Sequence, residues 1–144
     1  MSQSTRLITA SYILSFVGAN SPQRLSTDTI AKWVKTHPTR VRNLVSQLVK
    51  ADILISYRGA NGGLTLARDP REINLRQVYD AVQDSPLIAE KIENPFTGFE
   101  DHCKVFEVFT QLFELLENNV RLDLEKITVD TLFIAFDVPY EKQA

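Results

Sequence analysis

The stretch that decides the fold of this chain is Tyr57-Arg58-Gly59-Ala60-Asn61-Gly62-Gly63-Leu64-Thr65-Leu66-Ala67-Arg68. Three of the five glycines in the chain fall here, between an apolar run at 53–55 and an alternating run at 64–66. Glycine and asparagine tolerate positive φ angles, so this pattern predicts a β-hairpin with a short loop. An arginine lies on each side of that loop. A basic hairpin tip suits insertion into a nucleic-acid groove, although a solvated surface hairpin has the same composition.

A helix-turn-helix pattern precedes the hairpin, between residues 25 and 52. Ser26 is a suitable N-cap for a first helix, and Pro38 suits the first turn of a second helix. The second helix has an apolar face, made by Val41, Leu44, Val45 and Leu48. Its opposite face carries polar side chains, which are Thr39, Arg40, Arg42, Asn43, Ser46 and Gln47.

Two short helices followed by a basic hairpin predict a winged helix-turn-helix. In that fold the second helix enters the major groove of DNA, where Arg recognises guanine and Asn recognises adenine. We therefore expect double-stranded DNA as the partner, contacted by Thr39, Arg40, Arg42, Asn43 and Ser46. A helical hairpin with a solvated polar face is the alternative interpretation.

Three segments, at residues 36–44, 48–54 and 58–68, resemble the BadM/Rrf-two family of bacterial winged-helix regulators, the group of IscR, NsrR and CymR. The most specific part of the family motif is Arg58-Gly59-Ala60-Asn61-Gly62-Gly63 followed by Leu66-Ala67-Arg68, because few unrelated sequences would match it. The similarity continues through 73–82, resumes weakly at 127–130 and is missing from 85–100. The resemblance implies that Arg58 enters a minor groove, with Tyr57 and Asn61 beside it. One departure is Asp52, which stands where the family has a glycine in a left-handed cap.

The charges of this 144-residue chain are divided unevenly along its length. Residues 1–71 contain ten Lys/Arg and three Asp/Glu, or +7, and residues 72–144 contain six and fifteen, or −9. The division indicates a DNA-binding half and a separate second module. We expect a winged helix-turn-helix DNA-binding domain at 1–71, followed at 72–144 by a linker helix, a variable loop and a dimerisation helix. The expected fold class is mainly α with a small β-hairpin.

The apolar stretch 7–19 is broken by polar residues and lacks a good cleavage site, so we expect a first helix packed under the helix-turn-helix rather than a signal peptide. No run approaches the roughly 18 to 20 apolar residues of a membrane span. A single cysteine fits a reducing compartment, and the expected localisation is the cytoplasm.

A long helix is predicted from about Lys104 to Glu125, preceded by a short helix that Asn74 caps. Polar residues of the long helix recur every three or four positions and form one narrow stripe. A helix that is apolar over the rest of its circumference needs cover on several sides, which a second copy would supply. The family resemblance also implies a homodimer, which would place two recognition helices on a palindromic operator, most simply as a repressor.

No cofactor is expected, because Cys103 is the only cysteine and an iron–sulfur cluster needs about four ligands. Cluster-binding members of the resembled family use three cysteines in the loop before the long helix. A zinc site at His102 and Cys103 lacks a recognisable ligand spacing. Cys103 is a possible thiol sensor, against the simpler interpretation of a packed small residue. The sequence does not indicate whether a small molecule, a protein partner or no effector at all regulates the protein.

No arrangement typical of an enzyme is present. The two histidines lie in unrelated segments, and the glycine-rich loop lacks the lysine and hydroxyl residue of a phosphate-binding loop. A winged module that binds another protein is the remaining alternative. The concentration of positive charge in residues 1–71 favours DNA over that alternative.

Overall fold

The computed structural model describes residues 3–86 and 103–133. Its helices are α1 (Gln3–Ala19), α2 (Thr27–Val34), α3 (Pro38–Lys50), α4 (Leu75–Val82), α5 (Cys103–Glu125) and α6 (Val129–Phe133). Strands β1 (Leu54–Tyr57) and β2 (Gly63–Leu66) form an antiparallel sheet, and a short 3-10 turn spans Pro70–Glu72. The expected class, mainly α with a small β-hairpin, is confirmed.

The helix-turn-helix forms where its capping residues predict. Ser26 accepts a hydrogen bond from Thr29 N at 3.2 Å at the start of α2. Helix α2 is followed by its C-cap Lys35, whose φ of 53° is left-handed. His37 then caps α3 by accepting a hydrogen bond from Thr39 N, and Pro38 occupies the first turn, where the missing N–H costs nothing. These caps define the end of α2 and the start of α3.

The hairpin follows α3 after one tight turn. Asp52 has a φ of 57°, so the left-handed position is retained although the residue is not glycine. Strand pairing runs from Leu54 opposite Leu66 to Tyr57 opposite Gly63. A third segment joins this sheet, because the backbones of Leu25 and Leu64 exchange hydrogen bonds of 3.2 and 2.8 Å. The wing is therefore attached to the α1–α2 connection as well as to α3.

Helix α1 lies at the centre of the core. Its side chains Ile13, Leu14 and Val17 are buried, and Phe16 stacks on Trp33 of α2 with ring centroids 4.4 Å apart. The prediction of a first helix under the helix-turn-helix is confirmed, and the helix begins four residues before the apolar stretch that indicated it. In the described ranges no helix combines the length and the apolar character that crossing a membrane requires.

Helix α4 begins with the predicted cap at Asn74, whose side chain accepts from Gln77 N while Gln77 Oε1 accepts from Asn74 N. Val78 and Val82 of α4 and Val129 of α6 belong to the same buried cluster as α1 and α3. The core thus crosses the expected domain boundary at residue 71, and that boundary stays a prediction.

Helix α5 is attached to α4 by polar contacts along one face. Tyr79 donates to Glu117, Arg121 lies 3.0 Å from Asp80, and Arg76 lies 2.8 Å from Glu125. The helix starts within one residue of the predicted position. The expected polar stripe needs correction, however. Its last members, Arg121 and Glu125, pair with the chain's own α4, whereas apolar side chains such as Val108, Leu112 and Leu115 are exposed.

Candidate nucleic-acid interface

The outer face of α3 is polar and open. Thr39, Arg42, Asn43 and Ser46 are exposed, and Arg40 is partly buried. On the opposite face Val41, Leu44, Val45 and Leu48 are buried against the core. Burial of the apolar face fixes the rotation of the helix about its axis, so the polar face must point outward. The structure therefore brings Thr39, Arg42, Asn43 and Ser46 to one open face, whereas Arg40 is only partly exposed.

Arg42 does not extend freely from that surface. Its Nη2 lies 3.2 Å from Asp28 Oδ1 on α2, and both side chains are largely exposed, at 59% and 70%. Exposed ion pairs contribute only about 0 to 1 kcal/mol, so a stronger partner can displace Asp28. The guanidinium is held near α2 in the free protein and is available to a guanine edge or a phosphate.

Gln47 departs from the sequence prediction. It was expected on the outer polar face, but its Oε1 accepts a hydrogen bond from Arg6 Nη2 at 2.6 Å. Arg6 Nε also donates to the Val82 carbonyl, and Arg6 Nη1 lies 3.4 Å from Asp84. Gln47 therefore ties α3 to α1 and the end of α4, and it is not part of the open face of α3.

The wing loop presents Arg58 and Asn61, both exposed, while Tyr57 is partly buried. Gly62 N donates to Gly59 O at 2.9 Å, which closes the loop. A side chain at Gly62 would place its Cβ 2.4 Å from Tyr57 O, so this position excludes any larger residue. Positive φ angles fall on Gly59 and Gly63 instead of Asn61. Arg58 is thus held on a compact loop that directly follows β1.

Arg24 belongs to this site although the sequence did not indicate it. The Cζ atom lies 3.6 Å from the centroid of the Tyr57 ring, and Nη1 donates to Asn61 O at 3.1 Å. These partners lie more than thirty positions along the chain, and Arg24 precedes α2 without a motif of its own. No local pattern could have found it.

The positive charge of residues 1–71 is only partly neutralised. Arg6, Arg42 and Arg71 form salt bridges with Asp84, Asp28 and Asp69. Hydrogen bonds from Arg71 lower the pKa of Asp69 to about 2, so this pair stays ionised at neutral pH. Within the described ranges, seven cations of this half have no salt bridge: Arg24, Lys32, Lys35, Arg40, Lys50, Arg58 and Arg68. Such an excess attracts the phosphate backbone of DNA.

Arg68, on the far side of the hairpin, is directed away from the loop. Its Nε donates to Asp52 O at 3.3 Å, at the junction between α3 and β1. The two arginines that flank the loop in the sequence therefore have different environments, and Arg58 is the one at the tip.

Cys103 is the first residue of α5, and its side chain lies outside the described residues. The zinc alternative at His102 falls outside them as well. In the part of the chain that is described, no three His, Cys, Asp or Glu side chains form a group suited to a metal ion.

Comparisons with known proteins agree with this geometry. Residues 3–134 match the family model described as "Rrf2: Iron-dependent Transcriptional regulator". YwnA of Bacillus subtilis (strain 168), assigned as an HTH-type transcriptional regulator, is 34% identical over 120 residues, covering 83% of this chain and 88% of YwnA.

Solved structures are similar over most of the chain. A crystal structure of a protein assigned as DNA-binding superposes with a TM-score of 0.70 at 31% identity, covering 88% of this chain and 97% of that one. CymR, the global cysteine regulator of B. subtilis, has the same fold at 20% identity and a TM-score of 0.66, covering 95% and 97% of the two chains. The polar face of α3 and the basic wing agree with these relatives. Because the family model matches residues 3–134 and YwnA is 34% identical, the chain belongs to the Rrf2 family of DNA-binding transcriptional regulators, which are not enzymes.

Proposed function

We propose that the protein is a sequence-specific repressor that binds a palindromic operator as a homodimer. The observation that carries this proposal is the exposed face of α3, where Thr39, Arg42, Asn43 and Ser46 lie together on the helix that packs against β1 of the wing. Arg and Asn side chains form paired hydrogen bonds with guanine and adenine edges in the major groove. A face of this composition supports recognition of bases and not only of phosphates.

The wing would add a contact of a different kind. A guanidinium is attracted to the enhanced negative potential of a narrow minor groove. Arg58 is exposed at the loop tip and has no salt bridge among the described residues. Tyr57 and Asn61 lie beside it and shape the loop. We assign Arg58 to the minor groove that flanks the major-groove contacts of α3.

The exposed apolar face of α5 supports the homodimer. Val108 is 61% exposed, Leu115 is 56% exposed and Leu112 is 44% exposed, although the opposite face of the helix packs on α4. The apolar positions Val105, Val108, Leu112, Leu115 and Leu122 are spaced by three, four, three and seven residues. This is the spacing by which one helix packs along another, with Asn119 as the polar member of the row. A second α5 has the same row and would cover it.

A two-fold dimer would duplicate the DNA-binding surface. Each subunit contributes one α3 and one wing, and the two α3 helices could then enter successive major grooves about 34 Å apart. Symmetry of this kind requires an operator with two inverted half-sites. Repression follows if that operator overlaps the promoter of the controlled genes.

The iron in the family description does not fit this chain. Thiolates are the usual ligands of iron–sulfur clusters, about four per cluster, and Cys103 is the only cysteine. We therefore assign no cluster to the protein. A response to a thiol oxidant through Cys103, or to a small molecule or protein partner, is compatible with the proposed DNA binding.

A gel shift with the intergenic DNA upstream of the chain's own gene tests the proposal, because such regulators often control neighbouring genes. We expect one discrete complex that resists excess random DNA, and a footprint of two inverted half-sites. A matched fragment with one half-site scrambled should bind much more weakly. Equal binding to the operator and to random DNA would contradict sequence-specific recognition and favour a protein-interaction module.

A further inference from the structure

The wing has a support that comes from outside both the hairpin and the helix-turn-helix. The guanidinium of Arg24, in the connection between α1 and α2, stacks on the ring of Tyr57 with Cζ 3.6 Å from the centroid. The same group donates to the carbonyl of Asn61 at 3.1 Å. Arg24 therefore contacts both ends of the loop: the last residue of β1 and the residue two before β2.

The backbone next to Arg24 is already fixed. Leu25 N donates to Leu64 O at 3.2 Å, and Leu64 N donates to Leu25 O at 2.8 Å. Close packing accompanies this pairing, since a Cβ at Gly63 would lie 2.9 Å from Leu25 O. Because Leu25 is anchored to β2, the side chain of Arg24 starts from a defined position beside the loop.

The loop itself has few other restraints. Gly59, Ala60 and Asn61 are exposed, and the loop is closed internally by the hydrogen bond from Gly62 N to Gly59 O. Among the described residues, it is the side chain of Arg24 that donates a hydrogen bond to the backbone of the loop. Glycines also lower the cost of alternative loop conformations. The contacts of Arg24 therefore restrain the loop from outside, in addition to its internal hydrogen bond.

We propose that Arg24 is a positioning residue of the DNA-binding surface, which holds the wing loop in the shape that presents Arg58 to the minor groove. The inference rests on the proposed DNA-binding role of the wing. A planar guanidinium can stack on a ring and donate in its plane at the same time, whereas a lysine ammonium cannot do both. The contact therefore depends on the shape of the arginine as well as on its charge.

Hydrogen exchange in the free protein tests the support of the loop without DNA. Arg24→Ala should reduce the protection of the Gly62 amide by about 2- to 5-fold, the size expected for loss of an exposed cation–π contact. The Leu64 amide, held by backbone pairing, should change little. Arg71→Ala is the matched control, because it removes an exposed arginine that pairs with Asp69 and not with the wing. Unchanged protection of Gly62 in Arg24→Ala would overturn the proposal.

A double-mutant cycle on operator DNA tests the positioning role. Arg24→Ala should weaken binding several-fold in the parent background and have almost no further effect in an Arg58→Ala background, because both act through one contact. Arg24→Lys should bind as weakly as Arg24→Ala. If Arg24 instead binds a phosphate directly, the two losses will multiply and the lysine variant will bind like the parent, which would overturn the inference.

The two experiments separate this inference from the proposed function. Failure of the parent protein to bind any operator would reject the proposed function and, with it, the role of Arg24 in presenting Arg58. Loss of Gly62 protection in Arg24→Ala would still establish the contact as the support of the loop. A parent that binds DNA, with additive losses in the cycle, would reject only the positioning role.

Discussion

Helices α3 and α5 are both amphipathic, but they leave opposite kinds of surface uncovered. In α3 the apolar residues Val41, Leu44 and Leu48 are at most 1% exposed, and the polar face is open. In α5 the polar residues Arg121 and Glu125 pair with the chain's own α4, and the apolar face is open. A polar open face can bind polar base edges and phosphates, whereas an apolar open face is stabilised by an apolar partner. The two helices therefore indicate two different partners, DNA and a second copy of the chain.

The largest effect is expected at α5. The double substitution Leu112→Asp and Leu115→Asp should abolish both the dimer and operator binding, because each buried side chain of this size contributes about 1.5 to 3 kcal/mol. Analytical ultracentrifugation and a gel shift measure the two losses. Glu107→Ala with Glu114→Ala, at exposed polar positions of the same helix, should leave both unchanged. A parent protein that is monomeric at micromolar concentration would show that α5 has another partner.

Substitutions in α3 should reduce specificity while the dimer remains intact. Arg42→Ala or Asn43→Ala should cost about 1 to 3 kcal/mol on the preferred operator and little on random DNA, because a base contact carries sequence information. Lys126→Ala, which removes a cation near the end of α5, is the control for net charge. If both variants bind the operator as tightly as the parent, the assigned face of α3 is wrong.

The wing should contribute less and in a different way. Arg58→Ala should weaken binding to operator and random DNA alike and lower the slope of log affinity against log salt by about 0.9, since one fewer counterion is released. Fluorescence anisotropy over a series of salt concentrations measures this slope. An unchanged slope with unchanged affinity would mean that the wing points away from DNA.

Iron content is expected to be negligible, because one thiol cannot hold a cluster. Protein purified without oxygen should be colourless and contain no stoichiometric iron, measured by absorption spectroscopy and elemental analysis. A brown protein would contradict the expectation and would require ligands other than cysteine.

The smallest effect is expected at Cys103. Cys103→Ser should bind the operator like the parent under reducing conditions and after peroxide treatment, because lone cysteines are more often packed than reactive. The informative comparison is between the two proteins after oxidation. Release of DNA by the oxidised parent, but not by the serine variant, would make the first residue of α5 a redox sensor.

Much of the DNA-binding surface could be predicted because its signals are local. Ser26 and Asn74 mark helix starts through hydrogen bonds to residues three positions away, and Pro38 marks one through its fixed backbone angle in the first turn. The glycines at 59, 62 and 63 mark the wing through backbone geometry alone. Signals of this range can be recognised in a single sequence. The domain boundary at 71 depends instead on which elements share a core, and periodicity carries no such information.

By itself, the sequence determined the helix-turn-helix, the wing, the long helix and the polar face of α3, because periodicity, caps and turns act over a few residues. Tertiary structure decided the partners of individual side chains. Packing around α1 places Arg6 against Gln47, which removes Gln47 from the open face, and pairing of Leu25 with Leu64 brings Arg24 onto Tyr57. The same packing pairs Arg121 and Glu125 with α4 and leaves the apolar positions Val108, Leu112 and Leu115 of α5 exposed. These contacts join residues that are distant in the chain, and only the arrangement of the core brings them together.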